Sequence, residues 1–216
     1  MKALFYLSIL FVFVLFSCTK LGRNITVKGK VINPLTGTTY SNLKVQLVKS
    51  ESLSLPGGYK EIKHTYTDEE GNFEINAARI GKIWVQIQSG NELYVLGWHQ
   101  DGEYISDNFR ATVQKRETME TDFHVVPYGK YQLVINNINC QGINDTIIIN
   151  QTNQVGSFLG IDWVLTGCSG YATALEKTPI ANIHTEYTVI RSGVTNSYEV
   201  DFIVHPDQNN QQIINY

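Results

Sequence analysis

From Ile25 onward the chain alternates between apolar and polar positions. Ile25, Val27, Gly29 and Val31 share one face, and Thr26, Lys28 and Lys30 the other. That period of two marks a strand with one buried side. The pattern recurs at Leu43, Val45 and Leu47, at Ile62, His64 and Tyr66, at Phe73 and Ile75, at Ile83, Val85 and Ile87, and at Met119, Thr121, Phe123 and Val125. Leu93 to Trp98 is a further apolar run, and residues 99–118 form a polar stretch. Turn residues stand between the strands, at Asn33-Pro34-Leu35-Thr36-Gly37, Leu55-Pro56-Gly57-Gly58 and Asp68-Glu69-Glu70-Gly71-Asn72. Pro127-Tyr128-Gly129 marks a boundary. Strands restart at Tyr131, Leu133 and Ile135, then at Ile147 and Ile149, then at Ile161, Trp163 and Leu165. A loop with Gly167, Gly170 and Pro179 follows. Tyr187 and Val189 lead through the turn Arg191-Ser192-Gly193 to the cleanest alternation in the chain, Tyr198, Val200, Phe202 and Val204 against Glu199, Asp201 and Ile203. Helical period extends nowhere over ten residues. The expected fold is all-β, with two small β-sandwich domains in tandem over 25–126 and 127–216.

The N-terminus follows a different rule. Lys2 precedes an apolar run from Ala3 to Phe16. Such a run has signal-peptide length and falls short of the ~20 residues of a spanning helix. Leu15-Phe16-Ser17-Cys18 resembles the lipobox of bacterial lipoprotein precursors, where the cysteine takes a diacylglyceryl thioether and becomes residue one after cleavage. The resemblance implies a cleaved signal peptide over 1–17, lipidation of Cys18 and a lipidated tether over 18–24. Two acyl chains hold a protein at a membrane where one holds it only marginally.

Composition narrows the functional classes. The 216 residues carry 17 Lys and Arg against 20 Asp and Glu, a formal charge of −3, and losing Lys2 makes it one unit more negative. No basic surplus exists for nucleic acid. Beyond Cys18 only Cys140 and Cys168 remain. In an exported chain that even pair predicts a disulfide, with two free thiols as the alternative. Two cysteines with no close histidine are too few for a metal site.

The first region resembles the carboxypeptidase regulatory-like family, a transthyretin-like β-sandwich common in exported proteins of Bacteroidota. Val27-Lys28-Gly29-Lys30-Val31, Asn33-Pro34-Leu35-Thr36-Gly37, Leu43-Lys44-Val45-Gln46-Leu47 and Thr67-Asp68-Glu69-Glu70-Gly71-Asn72-Phe73 carry the resemblance. It spans about residues 24–125. Ser41-Asn42 stands where the family usually has a proline before the second strand. The resemblance implies a fold and leaves function open, since one fold hosts many functions.

No H-E-x-x-H, G-x-S-x-G, phosphate-cradling loop or paired-carboxylate signature occurs. The segment Trp98-His99-Gln100-Asp101-Gly102-Glu103-Tyr104 combines aromatics, an imidazole and acids. Read functionally, Trp98, His99 and Tyr104 form a ligand-binding loop with stacking platforms for a sugar or peptide. The plainer reading is a hairpin whose aromatics cover the sandwich edge. Asp145-Thr146-Ile147 matches a short O-glycosylation acceptor pattern associated with Bacteroidota. The expected protein is non-enzymatic and anchored in the cell envelope through lipid. It binds or scaffolds a protein or glycan partner, without cofactor, metal or nucleic acid. The stretch Thr19-Lys20-Leu21-Gly22-Arg23 lacks the acidic cluster that resembles a surface-export signal, so the periplasmic face of the outer membrane is expected, with surface exposure as the alternative. A structural subunit of a fimbria-like assembly and a hydrolase using His99 or Asp101 are the alternatives.

Overall fold

The computed structural model describes residues 24–50, 58–78, 81–106, 109–113, 118–156 and 163–216. Cys18, the export segment 1–17, Leu55-Pro56-Gly57 and Ile161 lie outside the described residues. The strands are β1 (Asn24–Ile32), β2 (Lys44–Ser50), β3 (Tyr59–Tyr66), β4 (Asn72–Ala78), β5 (Trp84–Gln88), β6 (Leu93–Gln100), β7 (Glu103–Ser106), β8 (Arg110–Thr112), β9 (Thr118–Glu120), β10 (Asp122–Asn136), β11 (Thr146–Asn153), β12 (Trp163–Thr166), β13 (Tyr171–Ala172), β14 (Glu176–Pro179), β15 (Asn182–Arg191), β16 (Val194–Ile203) and β17 (Asn209–Asn215). The fold is all-β and sandwich-like, and no helix occurs among the described residues. Two compact units form. The first takes the described residues up to Lys30 with Tyr40–Gln88 and Trp98–Asp122. The second takes Val31–Thr39, Ser89–Gly97 and Phe123–Tyr216.

In the first unit β1 runs antiparallel to β4, with Val27 opposite Ile75, and parallel to β9, with Val27 beside Met119. A second sheet has the order β3-β2-β5-β8. Ile25, Val27, Val45, Leu47, Phe73, Ile75, Val85, Ile87 and Trp98 are all buried, as the alternation requires. Gly29 sits on the apolar face of β1 for a specific reason. A Cβ there would lie 1.7 Å from the Thr121 carbonyl oxygen. The Thr121 amide donates to the Lys28 carbonyl at 2.9 Å, and the Lys30 amide donates to Asp122 Oδ1 at 2.8 Å. The backbone at Thr121 thus occupies the space a side chain would need. The acidic turn forms as read: the Gly71 amide, at φ 78°, donates to the Asp68 carbonyl, and the Asn72 amide to Asp68 Oδ1.

The second unit has two layers. One joins β13, β14 and β17 to β10, with β17 parallel to it from Lys130↔Asn209 to Asn136↔Asn215. The other has the order β12-β11-β15-β16. Tyr131, Leu133, Ile135, Ile147, Ile149, Ile183 and Ile214 fill the space between them. Pro127-Tyr128-Gly129 is no break, because β10 runs straight through it. Gly129 is there for packing: a Cβ would lie 2.8 Å from Val204 Cγ1 and 3.1 Å from the His205 carbonyl oxygen. The stretch read as a loop around Gly170 and Pro179 contains β13 and β14, and the polar stretch 99–118 contains β7 and β8.

A buried polar network crosses this core. Tyr131 Oη donates to Gln212 Oε1 at 2.6 Å, while Gln151 Nε2 donates to Tyr131 Oη at 2.7 Å and to Thr185 Oγ1 at 2.9 Å. Burial pushes the Tyr131 hydroxyl up to about 12. Near the turn of the β15–β16 hairpin, Asp145 is 3% exposed and accepts from the Gln141 amide, Arg191 Nε and Asn137 Nδ2. These bonds, the Gln141 amide foremost, hold its carboxyl below the usual range.

Candidate binding cleft

In the first unit, strands from distant parts of the chain bring an aromatic pair and a guanidinium together. Trp84 opens β5 and lies opposite Thr112 of β8, while Gln86 lies opposite Arg110. Period two therefore places Trp84, Gln86, Arg110 and Thr112 on one face of the sheet, opposite to the buried Val85 and Ala111. Tyr59 opens β3, and its ring meets Trp84 edge to face at 5.4 Å. The Arg110 guanidinium lies 3.8 Å from the Tyr59 ring centroid, and Lys82 Nζ lies 5.1 Å from the Trp84 centroid. Stacking of this kind contributes about 0.5–1 kcal/mol at an exposed site. It also holds the guanidinium flat while leaving its edge donors available. Ser106 Oγ donates to the Arg110 carbonyl at 2.8 Å and ties β7 to β8.

The resulting cleft has a volume of about 550 Å³ and is lined by Tyr59, Trp84, Gln100, Ile105, Ser106, Arg110, Ala111, Thr112 and Met119. Its chemistry is aromatic faces, one fixed cation, an amide and hydroxyls. Among the described residues, no carboxylate forms an ion pair with Arg110. Among the described residues, the lining includes no histidine, carboxylate or cysteine. The arrangement is equipped to hold a polar ligand, with stacking surface and donors.

The residues singled out from sequence fall in different places. Trp98, on β6, is 0% exposed and meets Phe73 edge-on at 6.2 Å. Its ring fills the core and offers no face to a ligand. The segment around it is a hairpin, with β6 and β7 joined at Asp101 and Gly102, both at positive φ. Across that hairpin the His99 and Tyr104 rings meet edge to face at 5.6 Å. Tyr104 is 53% exposed. Burial holds the His99 imidazole below its usual range, opposed by the charge of Asp122. Of this segment, Gln100 is the residue that lines the cleft. Cys140 and Cys168 are joined in a disulfide with Cα atoms 5.3 Å apart, pinning the segment after β10 to the end of β12. Thr146 is half-buried at the start of β11, its hydroxyl donating to the Asn144 carbonyl. Tyr59, Trp84 and Arg110 escaped sequence reading, although a tryptophan at the solvent-side phase of a buried strand was a usable signal.

No protein-family model matches the chain, and no curated protein matches it. Solved structures that superpose on it include the Bacillus anthracis TIE protein, at 16% identity and TM-score 0.34, over 90% of this chain and 34% of the other. A Streptococcal ancillary pilin aligns at 12% identity and TM-score 0.34, over 91% of this chain and 63% of its own. A DUF3823 family protein from Bacteroides uniformis aligns at 12% identity and TM-score 0.31, over 85% and 100%. The chain thus spans about a third of the first structure's length and under two thirds of the second's. Scores this low carry no functional reading.

Proposed function

We propose that the protein is a non-enzymatic, lipid-anchored component of the bacterial cell envelope that binds a glycan partner in the Tyr59–Trp84–Arg110 cleft. The cleft is the observation that carries this reading: aromatic side chains suit sugar rings, and Gln100, Thr112 and Arg110 supply hydrogen-bonding groups around them. The fixed guanidinium favours a sugar that bears a carboxylate. The Cys140–Cys168 disulfide supports residence in an oxidising compartment. The lipobox resemblance at Cys18 supports attachment through lipid, and the outer membrane facing the periplasm is the proposed site.

Two measurements test the two halves of the proposal. Calorimetric titration with oligogalacturonate should show binding that falls at least ten-fold in both Arg110→Ala and Trp84→Ala, about the 1.4 kcal/mol expected of one charge-assisted contact. Binding that is absent, or unchanged in both variants, refutes the cleft. Cys18→Ala should release the protein from the membrane fraction and abolish fatty-acid labelling, and unchanged labelling refutes the anchor. A structural role in a surface assembly is the second reading, favoured by the open edge of β16.

A further inference from the structure

β16 is an edge strand whose inner face the fold leaves largely open. Ser192 and Gly193 join it to β15, both at positive φ (50° and 79°), the geometry of a two-residue type I′ turn. Pairing then runs unbroken from Arg191↔Val194 to Asn182↔Ile203. In such a hairpin the residues flanking the turn form a hydrogen-bonded pair, and such pairs recur at every second position. Val194, Asn196, Tyr198, Val200 and Phe202 therefore aim their backbone groups at β15. Thr195, Ser197, Glu199, Asp201 and Ile203 aim theirs away, at an edge where no described strand pairs.

The inner face matters as much as the edge. Ile183, Thr185 and Val189 of β15 are buried. Their cross-strand partners on β16 are Phe202, Val200 and Asn196. On β16 Phe202 packs against Tyr131, ring centroids 5.7 Å apart, while the rest of this face opens, with Val194 59%, Tyr198 48% and Val200 39% exposed. A strand patterned for burial is thus left largely uncovered towards its turn. It has no proline, lysine or bulge to blunt the edge, and its two charges, Glu199 and Asp201, both stand on the outer face.

We propose that β16 pairs with β16 of a second copy, antiparallel, about a two-fold axis at Tyr198. In that register Tyr198 faces the partner's Tyr198, Val194 faces the partner's Phe202, and Asn196 faces the partner's Val200. On the outer face Ser197 meets the partner's Glu199, and Thr195 meets the partner's Asp201. Both carboxylates then face hydroxyls. An axis at Glu199 sets that carboxylate against its own copy, and an axis at Val200 sets Glu199 against Asp201. Like charges directly opposite destabilise a sheet. An axis at Ser197 shortens the ladder and leaves Phe202 without a partner strand residue. At the chosen axis Tyr198 forms a non-hydrogen-bonded pair, the closer kind. It extends across the axis the Tyr187–Tyr198 stack, whose rings lie 5.0 Å apart. The outward backbone groups of Thr195, Ser197, Glu199 and Asp201 all gain partners.

The test is sedimentation velocity with cysteine cross-linking on the full chain, the unsubstituted chain serving as control for Cys18. The chain should be dimeric at micromolar concentration. Under mild oxidation Tyr198→Cys should yield a linked dimer, because the facing Cα atoms lie about 4.5 Å apart and within disulfide reach. Val194→Cys, facing the partner's Phe202, should yield little. Ser197→Lys, opposite the partner's Glu199, should tighten dimerisation about five-fold. Ser197→Pro removes an N–H that points to the open edge, so it should keep a native circular dichroism spectrum and abolish the dimer. A monomeric chain, including one whose β16 is taken by a different protein, overturns the proposal. So does a dimer that survives Ser197→Pro with native spectrum, equal cross-linking from both cysteines, or weaker dimerisation in Ser197→Lys.

Discussion

Replacing Gly29 by alanine isolates a single close approach. A glycine inside a strand ordinarily weakens it, so Gly→Ala in open space should gain about 0.5–1 kcal/mol. Here the new methyl would stand 1.7 Å from the Thr121 carbonyl oxygen, against about 3.3 Å for an ordinary C···O contact. The strands must part by about 1.6 Å to restore that distance. Such a movement breaks the Thr121–Lys28 and Lys30–Asp122 hydrogen bonds, now 2.9 and 2.8 Å long. Two hydrogen bonds at about 1 kcal/mol each and overpacking of about 2 kcal/mol make the expected loss about 4 kcal/mol. The assay is urea unfolding followed by tryptophan fluorescence, to which Trp84 and the buried Trp98 of the same unit contribute. At about 2 kcal/mol per molar urea the midpoint should fall by about 2 M. A midpoint that holds or rises would show that the Thr121 backbone does not constrain β1, and would remove the reason given for Gly29.

Trp98→Ala should cost about 3–5 kcal/mol of stability by thermal or urea unfolding, whereas Tyr104→Ala should stay within about 0.5 kcal/mol; comparable losses would contradict their opposite exposures. The Cys140→Ser, Cys168→Ser double variant should lose about 3–4 kcal/mol for a loop of 28 residues, read from unfolding midpoints with and without reductant. An unchanged midpoint counts against a role for the bridge. On the outer face of β15 and β16, His184 is raised above 6.5, chiefly by its hydrogen bond to Asp201, while Asp201 is lowered below 3.8, chiefly by the same bond. The histidine's stabilising contribution is complete below its unfolded value and fades as pH rises through the raised folded value. That of the aspartate is complete above its unfolded value and fades as pH falls through the lowered one. An NMR titration should therefore put the His184 midpoint above 6.5 and move it down in Asp201→Asn; a midpoint that ignores the substitution breaks the link.

Much of the strand inventory was legible because one buried face imposes period two. Ile25 to Val31, Leu43 to Leu47, Ile83 to Ile87 and the hairpin around Ser192-Gly193 all appear where alternation and turn chemistry put them. The Cys140–Cys168 pair followed from compartment and parity. β17 was missed because Asn209-Asn210-Gln211-Gln212 is polar on both faces, and its buried Asn210 and Gln212 belong to polar networks instead of a hydrophobic pattern. Gly129 looked like punctuation because sequence cannot distinguish a glycine that turns the chain from one that makes room for Val204 and His205. The cleft was illegible for a related reason. Tyr59, Trp84 and Arg110 lie on three strands, and only the pairing of β5 with β8 and the placement of β3 bring them together. Trp98 drew notice through its polar neighbours, yet the Asp101-Gly102 turn behind them was the stronger signal for a hairpin.

The parallel pairing of β17 with β10 sets a timetable. Asn136 and Asn215 are joined side chain to side chain across 79 residues of chain. During synthesis, β10 emerges long before the strand that will flank it. Tyr131, Leu133 and Ile135 must wait with one flank of their sheet unpaired, while the β15–β16 hairpin, whose contacts are local, is free to zip as soon as Val194 to Ile203 appear. The second unit is therefore a late closer. That delay is the interval in which a holding chaperone has most to protect.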